Sequence, residues 1–373
     1  MSRVLNALVL IVYFILPLPA SAGKIDKDYV IPVSSKELKI MSYNVQNLFD
    51  ATHDSGKNDY EFLPSKSPQK KNCPTKGRGS KACTGLDWTK EKVDLKIQQI
   101  VKAVAAQGSL PEILVLTEVE NKGVVKQLSD ALGYDDFVMT TSPDARGIDC
   151  AVLYKEDKLK PLDFFELTVA DALYPTRNLS VMLFELDDNL GGGVFGVFPN
   201  HWPSQGNPTK ARSVVANTLR EFIDDVRSDY KKETFHYVVT GDFNTTEKDS
   251  PHPIDTVLLD PKWDASLINV RALAIKEKSP MISKMPPATY YYEPENAWNE
   301  FDRFFINPEL NDRRGLEIDS HSYRIHAPDL VTKTSKNGNA VPFRYNHHST
   351  SKNTLGYSDH FAVVVKFKNI SAK

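Results

Sequence analysis

Apolar and polar positions along the chain divide it into recognisable elements. Residues 38–45 (Leu-Lys-Ile-Met-Ser-Tyr-Asn-Val) alternate as a strand does. A polar stretch from about 51 to 87, dense in Lys, Pro, Gly and Ser, predicts a long loop. Val93, Ile97, Ile100, Val101 and Val104 then recur at helical spacing. After Pro111, residues 112–117 hold Ile113-Leu114-Val115-Leu116, a run suited to a strand buried on both faces. A short helix is expected over 121–132. Strand-like runs follow at 148–154, 179–186, 194–199 and 235–240, with Gly191-Gly192-Gly193 turning between two of them. Pro208 opens an amphipathic helix whose apolar face is Val215, Leu219, Phe222, Ile223 and Val226. Later strands are expected at 288–292, 301–306 and 361–367, while 307–357 reads as polar and irregular. No repeat and no linker divides the chain. Strands outnumber the helices that interrupt them, which predicts one α/β (α+β) domain of mixed sheets with helices outside. No Gly-x-Gly-x-x-Gly follows a strand, so a dinucleotide-binding fold is a poor reading.

The N-terminus departs from this pattern. Arg3 precedes an almost unbroken apolar run, Val4 to Pro19, and Ala20-Ser21-Ala22 supplies small residues for cleavage. Residues 1–22 read as a secretory signal peptide and 23–373 as the mature domain. An uncleaved anchor is the alternative, but the run is short against the ~20 apolar residues a spanning helix needs. No later segment is long and apolar enough to span. The expected location is therefore secreted or periplasmic, as a monomer without a stable membrane anchor. Export changes how the three cysteines read. Cys73 and Cys83 flank a small loop and are expected to pair in an oxidising compartment, whereas Cys150, in an apolar run, reads as a buried thiol. No His/Cys cluster has zinc-site spacing. A net charge of −2 provides no global basic field, so attraction to nucleic acid would depend on local clusters.

Reactive side chains gather where the predicted strands stop: Asn44, Glu118, His201, Asp242, Asn244, Asp302, Asp359 and His360. Each alone reads equally well as a helix cap or a solvated polar group. As a set at strand ends they describe an active site. Glu118, with Asn44 and Asp359 as neighbours, offers hard oxygen ligands, which favour Mg²⁺ or Mn²⁺, with Ca²⁺ a further candidate, over zinc. Two histidines provide acid/base groups near neutral pH. The inventory suits attack of water on a phosphoryl group.

At these residues the chain resembles the endonuclease/exonuclease/phosphatase superfamily, which includes deoxyribonuclease I, abasic-site endonucleases, bacterial sphingomyelinases and inositol-polyphosphate phosphatases. The matching motifs, in order, are Met41-Ser42-Tyr43-Asn44-Val45, Leu116-Thr117-Glu118-Val119, Asn200-His201-Trp202-Pro203-Ser204, Thr240-Gly241-Asp242-Phe243-Asn244, Phe301-Asp302-Arg303-Phe304 and Ser358-Asp359-His360. The resemblance implies a four-layer, deoxyribonuclease I-like sandwich of two mixed β-sheets with outer helices. It implies that Glu118 is the principal metal ligand, with Asn44 beside it on metal or phosphate, and that Asp359 binds metal directly or through water. His201 and His360 would flank the scissile phosphate, and Asp302 would orient His360. Asp242 and Asn244 would position the nucleophile or leaving group. Gln46 stands where some members carry an acidic residue, and no carboxylate partner for the other histidine can be placed. Arg146 resembles a phosphate-contacting arginine of secreted members; the alternative is an ordinary surface residue.

The implied activity is that of a divalent-metal-dependent phosphodiesterase, with an endonuclease on DNA, or RNA, as the leading reading. Sphingomyelinase-like phospholipase and phosphoinositide or sugar phosphatase are the alternatives. Lys66, Lys70, Lys71, Lys76, Arg78 and Lys81 would contact a phosphate backbone if their loop folds beside the site, and otherwise form a solvated loop. Tyr290, Tyr291 and Tyr292 offer stacking surface, or alternate in a strand. A non-catalytic binding module would be expected to lack Glu118, Asp242 or His360, and all are present. Gly356-Tyr357-Ser358-Asp359-His360 lacks the second glycine of a serine-hydrolase nucleophile elbow.

Overall fold

The computed structural model describes residues 37–370 except 77–78, 232–233, 265 and 352; the expected signal peptide and Arg78 lie outside the described residues. In chain order, β1 (Leu38–Leu48), α1 (Ser80–Gly85), α2 (Lys90–Ala105), β2 (Ile113–Val119) and α3 (Lys122–Leu132) lead into β3 (Asp136–Met139) and β4 (Asp149–Tyr154). Then come β5 (Leu159–Leu167), β6 (Leu179–Leu186), β7 (Val194–His201), α4 (Thr209–Asp229) and β8 (Phe235–Asp242). The remainder is β9 (Ile268–Asn269), α5 (Val270–Lys276), β10 (Tyr290–Tyr292), β11 (Ala297–Asn299), β12 (Asp302–Ile306), β13 (Leu316–His326), β14 (Thr332–Thr334), β15 (Ala340–Pro342) and β16 (Ala362–Asn369).

Two six-stranded sheets result, in the orders β13-β16-β1-β2-β4-β3 and β5-β6-β7-β8-β12-β9. Each is mixed. β1 and β2 run parallel in the first, β7 and β8 in the second, and their other neighbours are antiparallel. A parallel pair needs a crossover, and α2 and α4 lie within the two crossovers. The inner faces meet through ring pairs such as Tyr154 on Phe184 (centroids 5.1 Å) and Phe195 on Phe367 (5.9 Å). Ile97, Ile100 and Val104 of α2 join the core containing the first sheet; Val215, Leu219 and Ile223 of α4 form a second core on the other sheet. The layers are therefore helix, sheet, sheet, helix.

The structure corrects the reading of two polar stretches. The 51–87 segment is built of short turns, Tyr60–Phe62, Pro68–Asn72 and α1, with Cys73 bridged to Cys83. The 307–357 segment contains β13, an 11-residue strand. Its alternation is broken by a register shift between Asp319 and Arg324, which hides the period in the sequence. β5 escaped notice because it is a mostly exposed edge strand with no buried run. Cys150 lies buried in β4, and burial pushes its thiol well above the ordinary range. Among the described residues no helix is long and apolar enough to cross a membrane.

His326 closes β13 with its Nε2 3.0 Å from the Ala103 carbonyl. Burial, with Arg324 and Lys39 nearby, holds this imidazole down at about 4. The unfolded chain then binds more protons between that value and the ordinary 6.5, so stability is full above pH 6.5 and falls as pH drops toward 4. The loss should be on the order of 3 kcal/mol for this residue. Chemical denaturation across that window should show the slope, and His326→Asn should make it shallower, the remainder coming from the other buried histidines, His201, His236 and His347. An unchanged slope would remove His326 as its source.

Candidate active site

The mouth of the sandwich is set by strand ends that stop in register. His201 of β7 lies opposite Asp242 of β8, and Asp242 opposite Asp302 of β12. Gly241 permits the β7–β8 approach, since a Cβ there would stand 2.0 Å from the Asn200 carbonyl oxygen. In the facing sheet, the β1–β2 pairing slips between Asn44 and Leu48, and β2–β4 slips between Thr117 and Val119. Gln46, Asn47, Glu118 and Asn244 all adopt positive φ (55°, 57°, 62° and 50°). Such backbone costs about 1–3 kcal/mol per residue and persists only where the surroundings enforce it. Here it turns Glu118 toward the cleft, and the Asn47 N–H donates to Glu118 Oε2 at 2.9 Å.

Asn44 joins the two sheets. Its amide donates to Asp242 Oδ2 (3.0 Å) and approaches Glu118 Oε1 (3.3 Å). The Ser358 hydroxyl donates to the Asn44 carbonyl (2.7 Å) and accepts from the His360 N–H (3.1 Å), which seats the last histidine beside the first strand. His360 Nδ1 lies 2.7 Å from Asp302 Oδ2, and its Nε2 lies 4.0 Å from Asp242 Oδ2. His201 Nε2 stands 3.9 Å from the same Asp242 oxygen and 4.0 Å from Glu118 Oε1. Its Nδ1 is buried without a hydrogen-bond partner, so no carboxylate orients this ring as Asp302 orients His360. The Asn244 N–H donates to Asp242 Oδ1 (2.8 Å), while its side-chain amide donates to the Trp202 carbonyl (3.1 Å).

The environment drives the two imidazoles apart. Burial, with Arg177, Arg146 and His360 adding repulsion, holds His201 far below its ordinary value and keeps it neutral despite the nearby carboxylates. Burial also opposes charge on His360, but Asp302, Asp242 and Asp359 outweigh it and raise the imidazole to about 10. Burial pushes Asp242 up to about 7, with His360 opposing and Asp302 and Glu118 reinforcing the rise.

Other expected residues fall less centrally. Asp359 lines the cleft, but its carboxylate is ion-paired to Arg344 (3.0 Å). Arg146 also lines the cleft and donates to the Asn47 side chain at 3.3 Å. Gln46 is turned away, exchanging hydrogen bonds with the Tyr345 backbone (3.1 and 2.8 Å). Tyr290 and Tyr292 face the cleft, and Tyr291 packs on Trp298. Lys66, Lys70, Lys71, Lys76 and Lys81 do not line it, and Lys70 is spent on the carbonyls of Glu61 and Cys83. Arg177 carries no local signal beyond its place just before β6. Its guanidinium donates to the carbonyls of His201 (2.9 Å) and Trp202 and meets Asp144 at 3.5 Å, bracing the His201 backbone.

The cleft holds about 1000 Å³. Among the described residues, no group of three His, Cys, Asp or Glu side chains is placed to hold a metal. A magnesium ion needs only one or two carboxylates, completed by water and substrate phosphate. Glu118 fits that demand: it is mostly buried, faces the cleft, and has no Lys or Arg partner among the described residues. The Asn44 side chain beside it adds a second hard donor group.

Two facing mixed sheets that bring an imidazole oriented by Asp302, buried carboxylates and a glutamate free of any Lys or Arg ion pair among the described residues to one mouth are the arrangement of a sandwich-fold phosphoesterase. The model of the Endonuclease/Exonuclease/phosphatase family matches residues 39–369, and the chain belongs to that family. Its enzymes are phosphoric ester hydrolases and generally use divalent metal ions. Among solved structures, an endonuclease/exonuclease/phosphatase family protein from Bacteroides thetaiotaomicron is similar with a TM-score of 0.52 at 16% identity, covering 89% of this chain and 97% of that one. A humanized D. rerio TDP2 gives 0.54 at 14% identity, covering 90% and 100%. D. rerio TDP2 complexed with single strand DNA product gives 0.53 at 14% identity, with the same coverage. These likenesses are of fold. No curated protein sequence matches the chain.

Proposed function

We propose that this chain is an exported, divalent-metal-dependent phosphodiesterase that cleaves nucleic acid, DNA foremost. The observation that carries the reading is the meeting of Asn44, Glu118, His201, Asp242 and the Asp302–His360 pair at one mouth, with the distances given above. A cleft of about 1000 Å³ lined by Tyr290 and Tyr292 suits a substrate larger than a lone phosphate. The single-strand DNA product held by a protein of the same fold accords with it. The Cys73–Cys83 bridge accords with export.

In this reading Glu118 and Asn44 hold the cation, which when bound neutralises charge on the phosphoryl oxygens. The remaining work belongs to side chains. Asp302 fixes the His360 ring by its Nδ1 and leaves Nε2 directed at the space beside Asp242. Nε2 there donates to a phosphoryl oxygen. Asp242, fixed by the Asn244 N–H and the Asn44 amide, orients the attacking water and takes its proton; as the new P–O bond forms, the P–O bond to the leaving group breaks, and the departing oxygen takes a proton from solvent water. His201, neutral and buried, contributes a second hydrogen bond across the phosphate. Arg146, on the exposed side, contacts a flanking oxygen.

The test is a substrate panel. The purified mature protein, with Mg²⁺ or Mn²⁺, should cleave DNA, and chelation should stop it. Turnover of sphingomyelin, phosphoinositides or sugar phosphates with DNA and RNA left intact would sink the nuclease reading.

A further inference from the structure

Two cavities meet at one wall. Tyr290 and Asp359 line both the reactive cleft and a smaller cavity of about 330 Å³ that reaches the β14–β15 hairpin. Lys333, Lys336 and Arg344 stand around the smaller one. Both lysines are exposed and form no ion pair among the described residues. The two carboxylates there are already engaged: Glu293 accepts from the Lys336 N–H (3.2 Å), and Asp359 is paired with Arg344. Arg344 itself is 61% exposed and keeps donors free toward solvent. A chain of net charge −2 thus gathers unpaired cations in a recess next door to its reactive centre.

The dividing wall is also shaped. The Tyr290 ring stacks on Phe301 (centroids 4.9 Å, 27°) and leans on His360 (5.0 Å), so its orientation is set before any substrate arrives. A nucleotide strand alternates a flat base with an anion. A fixed aromatic face between the reactive cleft and a recess rimmed by cations matches that alternation.

We propose that the Lys333/Lys336/Arg344 cavity is a second phosphate subsite, which holds a phosphate neighbouring the scissile one while the intervening base lies against Tyr290. The inference rests on the nuclease reading above and deepens it: the substrate is a polynucleotide held at two phosphates, not an isolated diester. Lysines act there as mobile point charges, and the arginine presents a fork.

The experiment compares the mature wild type with Lys333→Glu/Lys336→Glu and the milder Lys333→Ala/Lys336→Ala. Each is assayed on a short single-stranded oligonucleotide and on a dinucleotide whose only phosphate is the scissile one. Melting temperatures report folding. Charge reversal should raise KM for the oligonucleotide by about tenfold or more with kcat nearly unchanged. It should make the log–log salt dependence shallower by about 0.7 per lost contact. The dinucleotide should not distinguish the proteins. An oligonucleotide KM that stays within about twofold of wild type, or an equal loss on both substrates, overturns the subsite. Wild-type protein that cleaves the oligonucleotide while the variants match it sinks only this inference. Wild-type protein that leaves nucleic acid intact sinks the nuclease reading and this with it.

Discussion

His360→Gln should lower kcat by roughly a thousandfold, about 4 kcal/mol of barrier, while the protein stays folded. The ring is hydrogen-bonded by Asp302 through Nδ1, and its other nitrogen opens on the space beside Asp242. Asp302 is fully buried, and its second oxygen has no hydrogen-bond partner, so the imidazole is its main compensation. His360→Ala would strip that away and leave an uncompensated buried carboxylate, which costs about 3–5 kcal/mol of stability. Glutamine keeps a donor for Asp302 and separates the two effects. Steady-state kinetics with a melting curve for each variant is the check. A loss below about tenfold in a folded His360→Gln protein would take this ring out of the chemistry.

Glu118→Gln should abolish metal-stimulated turnover to a similar degree and raise the half-saturating Mg²⁺ concentration more than about tenfold, roughly 1.4 kcal/mol of binding. The carboxylate is mostly buried, lacks a cationic partner among the described residues, and sits on strained backbone. The Asn47 N–H and the Asn44 amide donate to it, but no Lys or Arg ion pair among the described residues neutralises its charge, so the position suits a cation. The substitution is isosteric, and the strand pairing that enforces φ 62° remains. A magnesium titration of activity unchanged from wild type would place the cation elsewhere.

Most of the frame was legible without coordinates. β2, β6, β7, β8, β12 and β16 all begin within two residues of the runs expected for them, because a strand buried on both faces leaves a continuous apolar signature, and β1, read from its alternation, begins at Leu38 as expected. α2 and α4 were visible for the matching reason, an apolar face at helical period. What failed was edge and interrupted structure. β5 exposes Leu162, Phe165 and Leu167, and β13 changes register midway, so neither carries a clean period. The lysine-rich loop shows a different limit. Its composition left phosphate contact and a solvated loop both open; none of its described lysines lines the cleft, and the unpaired lysines near the site come from the 332–342 hairpin instead.

The chain's own order of residues determined which side chains stand at strand ends, since the switch from apolar run to polar residue is local and survives in any fold that buries those runs. Tertiary structure alone decided that these ends share one mouth. Their convergence depends on the β7–β8–β12 register, on bulges at Asn44 and Glu118, and on the two sheets facing each other. Those are properties of pairing between segments far apart in the chain. The same pairing set Arg177 behind His201 and turned Asp359 to Arg344, outcomes that no local period encodes.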